Sequence, residues 1–223
     1  MTGPVTTGGS RLEAGPVKPT SFVPTVGEIS PEIVGEIPDL EAVISHWTGG
    51  ACSAEEWFRE ANAGWGTAGF FVRRGDDTSG FVVYGPRERL PRAGAYPLGH
   101  LDEDAVLLAF VAGDGHVRRR LLVRMLRDLK HRGVERVEAI ASDRGASHHA
   151  PTRFLLESGW KPVRRGQHQG SPYTLVRIDL GSAVEVGELA RSLVGRVRLP
   201  HLKAPNPAPG ALARVAKPQE GSS

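Results

Sequence analysis

Apolar residues in this chain fall into short blocks, and the period within each block identifies the element it forms. Ser53-Ala54-Glu55-Glu56 is a capping box, and it opens a helix carried on through Trp57, Phe58 and Ala61. Ala68–Arg74 (AGFFVRR) and Gly80–Tyr84 (GFVVY) read as strands. The turn-rich stretch Gly75-Asp76-Asp77-Thr78-Ser79 between them predicts a hairpin. Ala105–Val111 (AVLLAFV) is apolar without a break, as a strand buried on both faces must be. From about His116 to His131 the spacing changes to helical. Val117, Leu121, Leu122, Met125, Leu126 and Leu129 lie on one stripe, arginines cover the other face, and Gly133 caps the end. Val134–Ser142 is a strand, His149–Ser158 a short helix closed by Gly159, and Trp160–Arg164 and Tyr173–Leu180 are two further strands. A last helix is expected at about Ala183–Leu193. The central strand–helix–strand unit implies a parallel pair with a right-handed crossover, and the hairpin implies antiparallel neighbours. The fold class is therefore α/β, a central mixed sheet with helices on its faces.

Composition agrees with one folded unit between two tails. The chain has 223 residues, 39% hydrophobic and 24% charged, close to globular averages. Residues 1–30 are rich in Gly, Pro, Thr and Ser and read as a disordered arm, residues 31–198 as the domain, and residues 199–223 as a Pro-rich basic tail. A net charge of +3 argues against nucleic-acid binding by the whole chain. No apolar run is long enough to span a bilayer, and the N-terminus has no secretory pattern. With Cys52 as the single cysteine no internal disulfide forms, and the expected compartment is the cytoplasm.

One stretch carries chemistry. A glycine-bearing turn, Ala112–Gly115, ends the apolar strand and opens the arginine-rich helix. Such a turn presents unpaired N–H groups and the positive end of a helix dipole, a site for pyrophosphate. Arg118, Arg119 and Arg120 would add charge there, or they form the solvated face of an ordinary amphipathic helix.

The run DAVLLAFVAGDGHVRRRLLVRMLRDLKHRGVERVEAIAS resembles the central motif of the GNAT superfamily of N-acetyltransferases. APTRFLLESGWKPVRR resembles the second cofactor segment of that family, with Gly159-Trp160 where Gly-Phe is usual. The upstream runs GFFVRRGDDTSGFVVYGPRERLPRAGAYP and DEDAVLL are similar to an actinobacterial branch, and the resemblance covers roughly Glu55 to Leu180. It implies acetyl-CoA as cosubstrate and transfer of its acetyl group to an amine. By that resemblance the cofactor contacts are Val111, Gly113, Gly115, His116, Val117, Arg118, Arg119 and Arg120, with an oxyanion donor near Val111.

The departures are specific. Aligned on Leu121-Leu122, two small positions of the family loop fall on His116 and Arg118, and the loop is several residues shorter. The tyrosine that often serves as general acid falls on Leu155. The candidate bases are Glu138, Glu103 and Asp104, with Tyr173 and Ser171 as replacement acids. Each carboxylate has an alternative reading as an ordinary solvated or ion-paired group. His148-His149, with His100, His116 and Cys52, matches no compact metal motif and reads as a polar helix start. Trp47, Trp57, Trp65 and Trp160 read mainly as core. Two functions stay open, an acetyltransferase acting on a small-molecule or protein amine, and a pseudoenzyme of the same fold used for protein interaction. The last helix and strand could pair with a second copy as a homodimer.

Overall fold

The computed structural model describes residues 24–181. The expected helix at 183–193 and the basic tail lie outside these residues, as does most of the N-terminal arm. A seven-stranded mixed sheet runs through the domain in the order β1-β2-β3-β4-β5-β7-β6. Its strands are β1 (Thr25–Glu28), β2 (Gly69–Arg74), β3 (Asp77–Pro86), β4 (Val106–Val111), β5 (Arg136–Ser142), β6 (Lys161–His168) and β7 (Ser171–Asp179). Among the strands of the described residues, only β4 and β5 pair in parallel. On one face pack α3 (Gly115–His131) and α4 (Thr152–Glu157), with Leu121, Leu122, Met125, Leu126 and Leu129 buried against the strands. On the other pack α1 (Leu40–Thr48), α2 (Ala54–Gly64) and the connection from β3 to β4, which folds as 3-10 turns at Arg87–Arg89 and Pro91–Ala95. No helix among the described residues is long and apolar enough to cross a membrane.

Two elements differ from the sequence expectation. Residues 25–28, read as part of a disordered arm, form the edge strand β1 against β2, and Ile29 behind it is buried. A short strand with Val26 as its one apolar residue carries too little pattern to be read alone. The helix α1 was not expected at all. It is introduced by Asp39 in the left-handed region and ended by Gly49 at φ +71°, and it buries Leu40, Val43, Ile44 and Trp47.

The junction between β4 and α3 is tightly built. Only Ala112, Gly113 and Asp114 separate the two elements. The Ala112 N–H donates to Phe81 O at 2.8 Å, which extends the β3 ladder into the turn. Gly80 lies directly beneath, where a Cβ would meet Ala112 O at 2.5 Å. Gly113 has φ +113°, and a Cβ there would lie 2.6 Å from Val117 Cγ1 and 3.0 Å from Ser79 O. Both the conformation and the space exclude a side chain. Gly115, by contrast, has open space around it.

Gly113→Ala should therefore cost about 2 kcal/mol in urea unfolding. Gly115→Ala, inside the helix, should be neutral or stabilising.

Candidate active site

The sheet opens at its centre. β4 and β5 pair at Val106–Val137 and Leu107–Glu138 and then separate, although β4 continues to Val111 and β5 to Ser142. A bulge explains the opening. Against β3, Phe110 pairs with Val83 and Leu108 with Tyr84, so Ala109 is an extra residue. A bulge of this kind bends its strand and sharpens the twist, here away from β5. The β4 edge beyond Leu107 is left with no strand partner on the β5 side.

The loop after β5 occupies part of the gap. Ser142 N–H donates to Ala150 O at 2.9 Å, so the chain returns beside the end of β5 before α4 begins. Ser142 Oγ accepts the Ala146 N–H at 2.8 Å and holds the loop in a turn. Between this loop and the end of β4 remains a cleft of about 360 Å³. Phe110, Val111 and Gly113 form one wall, Gly145 to His149 the other, and Arg118 enters from α3. The Arg118 guanidinium lies 4.7 Å from the Phe154 ring centre, and its buried Nε has no partner among the described residues.

The start of α3 is already capped by a carboxylate. Asp114 Oδ1 accepts the N–H groups of His116 and Val117, each at 2.8 Å. The Val117 and His116 donors hold its carboxyl below the usual range. The donors that the sequence assigns to a phosphate are thus taken by an anionic side chain three residues into the turn. The Ala112–Asp114 stretch shows the signal in retrospect, since Asp followed by a helix is a strong N-cap pattern.

The expected site residues divide into two groups. Val111, Gly113 and Arg118 line the cleft. Gly115 opens α3, Val117 is buried in the core with its N–H capped, His116 and Arg120 face solvent, and Arg119 is half-buried; none of these five lines the cleft. Glu103 and Asp104 are exposed in the turn before β4, at the closed end of the β4–β5 pair. Glu138 also lies at that closed end, opposite Leu107. It is buried and fully engaged. Its Oε1 accepts Arg177 Nε at 3.0 Å and Nη2 at 2.7 Å, and its Oε2 accepts the Asp102 N–H at 3.1 Å. Asp102 in turn pairs with Arg136. This network ties the connection to β5 and β7.

Tyr173 belongs to a ring cluster beside the cleft. His46 and Trp47 come from α1, Tyr96 from the connection, His149 from the loop, His168 from β6 and Tyr173 from β7. The Tyr96 and His149 rings lie 5.0 and 4.9 Å from the Tyr173 ring. His46 Nε2 is 3.3 Å from Tyr96 Oη. By its sequence pattern His148-His149 is a polar helix start, yet His149 is 4% exposed and lines both the cluster and the cleft. Its Nδ1 lies 2.8 Å from Ser147 O, and a carbonyl only accepts, so Nδ1 carries the proton. The buried Nε2 then holds a lone pair with no partner among the described residues. Burial, with Arg92 and the other imidazoles nearby, pushes His46 and His149 down to about 4. Burial likewise raises Tyr96 to about 12. His148 has a left-handed backbone at φ +61°, and its carbonyl accepts Trp47 Nε1–H at 3.1 Å. No group of three or more His, Cys, Asp or Glu among the described residues is placed to hold a metal.

No protein-family model matches this chain, and no curated protein matches it in sequence. Solved structures do match it. An N-acetyltransferase from Staphylococcus aureus superposes with a TM-score of 0.50 at 14% identity, over 71% of this chain and 99% of that one. A Salmonella typhimurium protein assigned as an acetyltransferase, solved with its cofactor acetyl-CoA, gives 0.51 at 14% identity over 72% and 96%. A ribosomal-protein-alanine N-acetyltransferase from Brucella melitensis gives 0.50 at 13% over 70% and 99%. The fold is that of the GNAT N-acetyltransferases. At these identities the likeness concerns the fold, and the chemistry rests on the residues described above.

Glu138→Ala would leave Arg177 without its buried partner and should lower stability in urea by about 3 kcal/mol. The imidazoles predict a pH dependence. His46 and His149 bind protons more weakly folded than unfolded, so the unfolded state takes up protons first as pH falls. Stability should be full above the ordinary value of 6.5 and fall steadily towards pH 4. Urea midpoints should drop between those limits, and the slope should be shallower in His149→Gln.

Proposed function

We propose that this protein binds acetyl-CoA in the β4–β5 cleft and transfers the acetyl group to an amine. The observation that carries this reading is the opening of the sheet after Leu107, which leaves a strand edge without a partner at the wall of a cleft. Buried backbone N–H and C=O groups require partners. The pantetheine arm carries two amides, and it can pair with the Leu108–Val111 edge as a strand would. A donor at the end of that edge, near Val111, is placed to stabilise the oxygen of a thioester carbonyl as it gains charge. Arg118 supplies a cation with an unused Nε for the phosphates. The thioester makes the acetyl carbon open to attack by an amine. The cytoplasm is the compartment this reading gives the protein.

Asp114 favours a second reading, a protein that keeps the cleft and has given up the phosphate site. Its carboxylate occupies the two N–H groups a phosphate would use. A protein of this kind would serve as an interaction module and not as an enzyme.

Calorimetric titration with acetyl-CoA and free coenzyme A separates the two. The expected result is micromolar binding that Arg118→Glu abolishes. Asp114→Asn removes the competing charge and should tighten binding roughly threefold to tenfold. An absence of binding at millimolar ligand, in wild type and Asp114→Asn alike, would overturn the acetyl-CoA reading and favour the second.

A further inference from the structure

Among the described residues, the walls of the cleft carry no carboxylate. Among the described residues, neither the cleft lining nor the ring cluster includes an Asp or Glu. The carboxylate on the adjoining loop, Asp143, accepts the hydroxyls of Thr152 and Thr174 at 2.6 and 2.8 Å. What faces His149 is neutral or cationic on every side. His46 comes from α1, Arg92 and Tyr96 from the connection, His148 from its own loop, His168 from β6 and Tyr173 from β7.

Such a site is poorly suited to an alkylammonium. Acetyl transfer to an alkylamine requires an anion to hold the ammonium or a base strong enough to deprotonate it, and a lysine-like amine titrates near ~10.4. The cleft lining is largely apolar, with Phe110, Val111, Ala112, Ala146 and Pro151 beside the His149 ring, and it suits a flat, weakly basic partner.

Building on the acetyl-CoA reading, we propose that the acceptor is an arylamine, with His149 Nε2 as the group that takes its proton. The nitrogen of an arylamine is already unprotonated at neutral pH, so no ammonium has to be neutralised. It attacks the thioester carbonyl carbon, the new C–N bond forms, and the C–S bond breaks. The proton lost from nitrogen goes to His149 Nε2 and then to the released thiolate, which leaves as the thiol. The Nδ1–H bond to Ser147 O fixes the tautomer that puts the lone pair on Nε2. Imidazoles pushed down to about 4 stay neutral over the working range and match this role.

The test uses the full chain, with aniline as probe and n-butylamine as its charged counterpart. Binding is read from shifts of the histidine ring resonances with and without coenzyme A, and turnover from thiol release. Aniline should perturb the His149 and His46 signals and be acetylated, and n-butylamine should do neither at equal concentration. The aniline rate should be flat between about pH 7 and 9, because neither amine nor imidazole titrates there. His149→Gln should slow aniline turnover about a hundredfold. The pH profile of the wild type tests the same point if that variant misfolds. Equal or faster acetylation of n-butylamine, or acetyl-CoA binding with no aniline-induced shift, overturns the arylamine proposal and leaves the acetyl-CoA reading intact. Failure of acetyl-CoA to bind overturns both.

Discussion

One extra residue in β4 sets the character of this molecule. Without Ala109 opposite the Val83–Tyr84 step, β4 would stay in ladder with β5 and the sheet would be continuous. With it, the strand turns away, and the hydrogen-bonding capacity of its last residues is released at the centre of the domain. The rest follows from where the chain can go next. The turn to α3 must be short, because it is bonded to Phe81 and pressed onto Gly80. The loop after β5 must cover part of the opening, and in doing so it carries His148 and His149 to the edge of the cleft. Cleft, cation and imidazole all depend on that one irregularity.

The sequence made the centre of the sheet legible because β4 and β5 are buried on both faces and the main helix has a strict stripe. It did not show the bulge, since Leu108, Ala109 and Phe110 are part of an unbroken apolar run that could pair in any register. It did not show α1 either, although Leu40, Val43, Ile44 and Trp47 have helical spacing in hindsight. The residues of chemical interest were harder still. Glu138 is chemically able to act as a base, and only its placement opposite Leu107 and its bonds to Arg177 put it at the closed end. His149 looks like a polar residue at a helix start. Its burial comes from α1, the connection and β7, which converge on it from distant parts of the sequence.

Asp114 and Arg118 pull the cleft in opposite directions. One brings negative charge to the two N–H groups at the head of α3, the other brings a guanidinium with an unused nitrogen to the wall of the cleft. The cap stabilises the helix itself by about 1 kcal/mol. A ligand phosphate would have to displace the cap or bind alongside it. The balance between helix stability and anion affinity is therefore set by a single side chain at the junction.

The bond from Trp47 to the carbonyl of His148 has a consequence for how the cleft is held. It joins positions 101 apart in sequence and fastens a loop whose left-handed residue is costly to hold. Losing α1 would therefore release the loop along with the helix. The cleft wall is thus held by α1 as well as by the sheet.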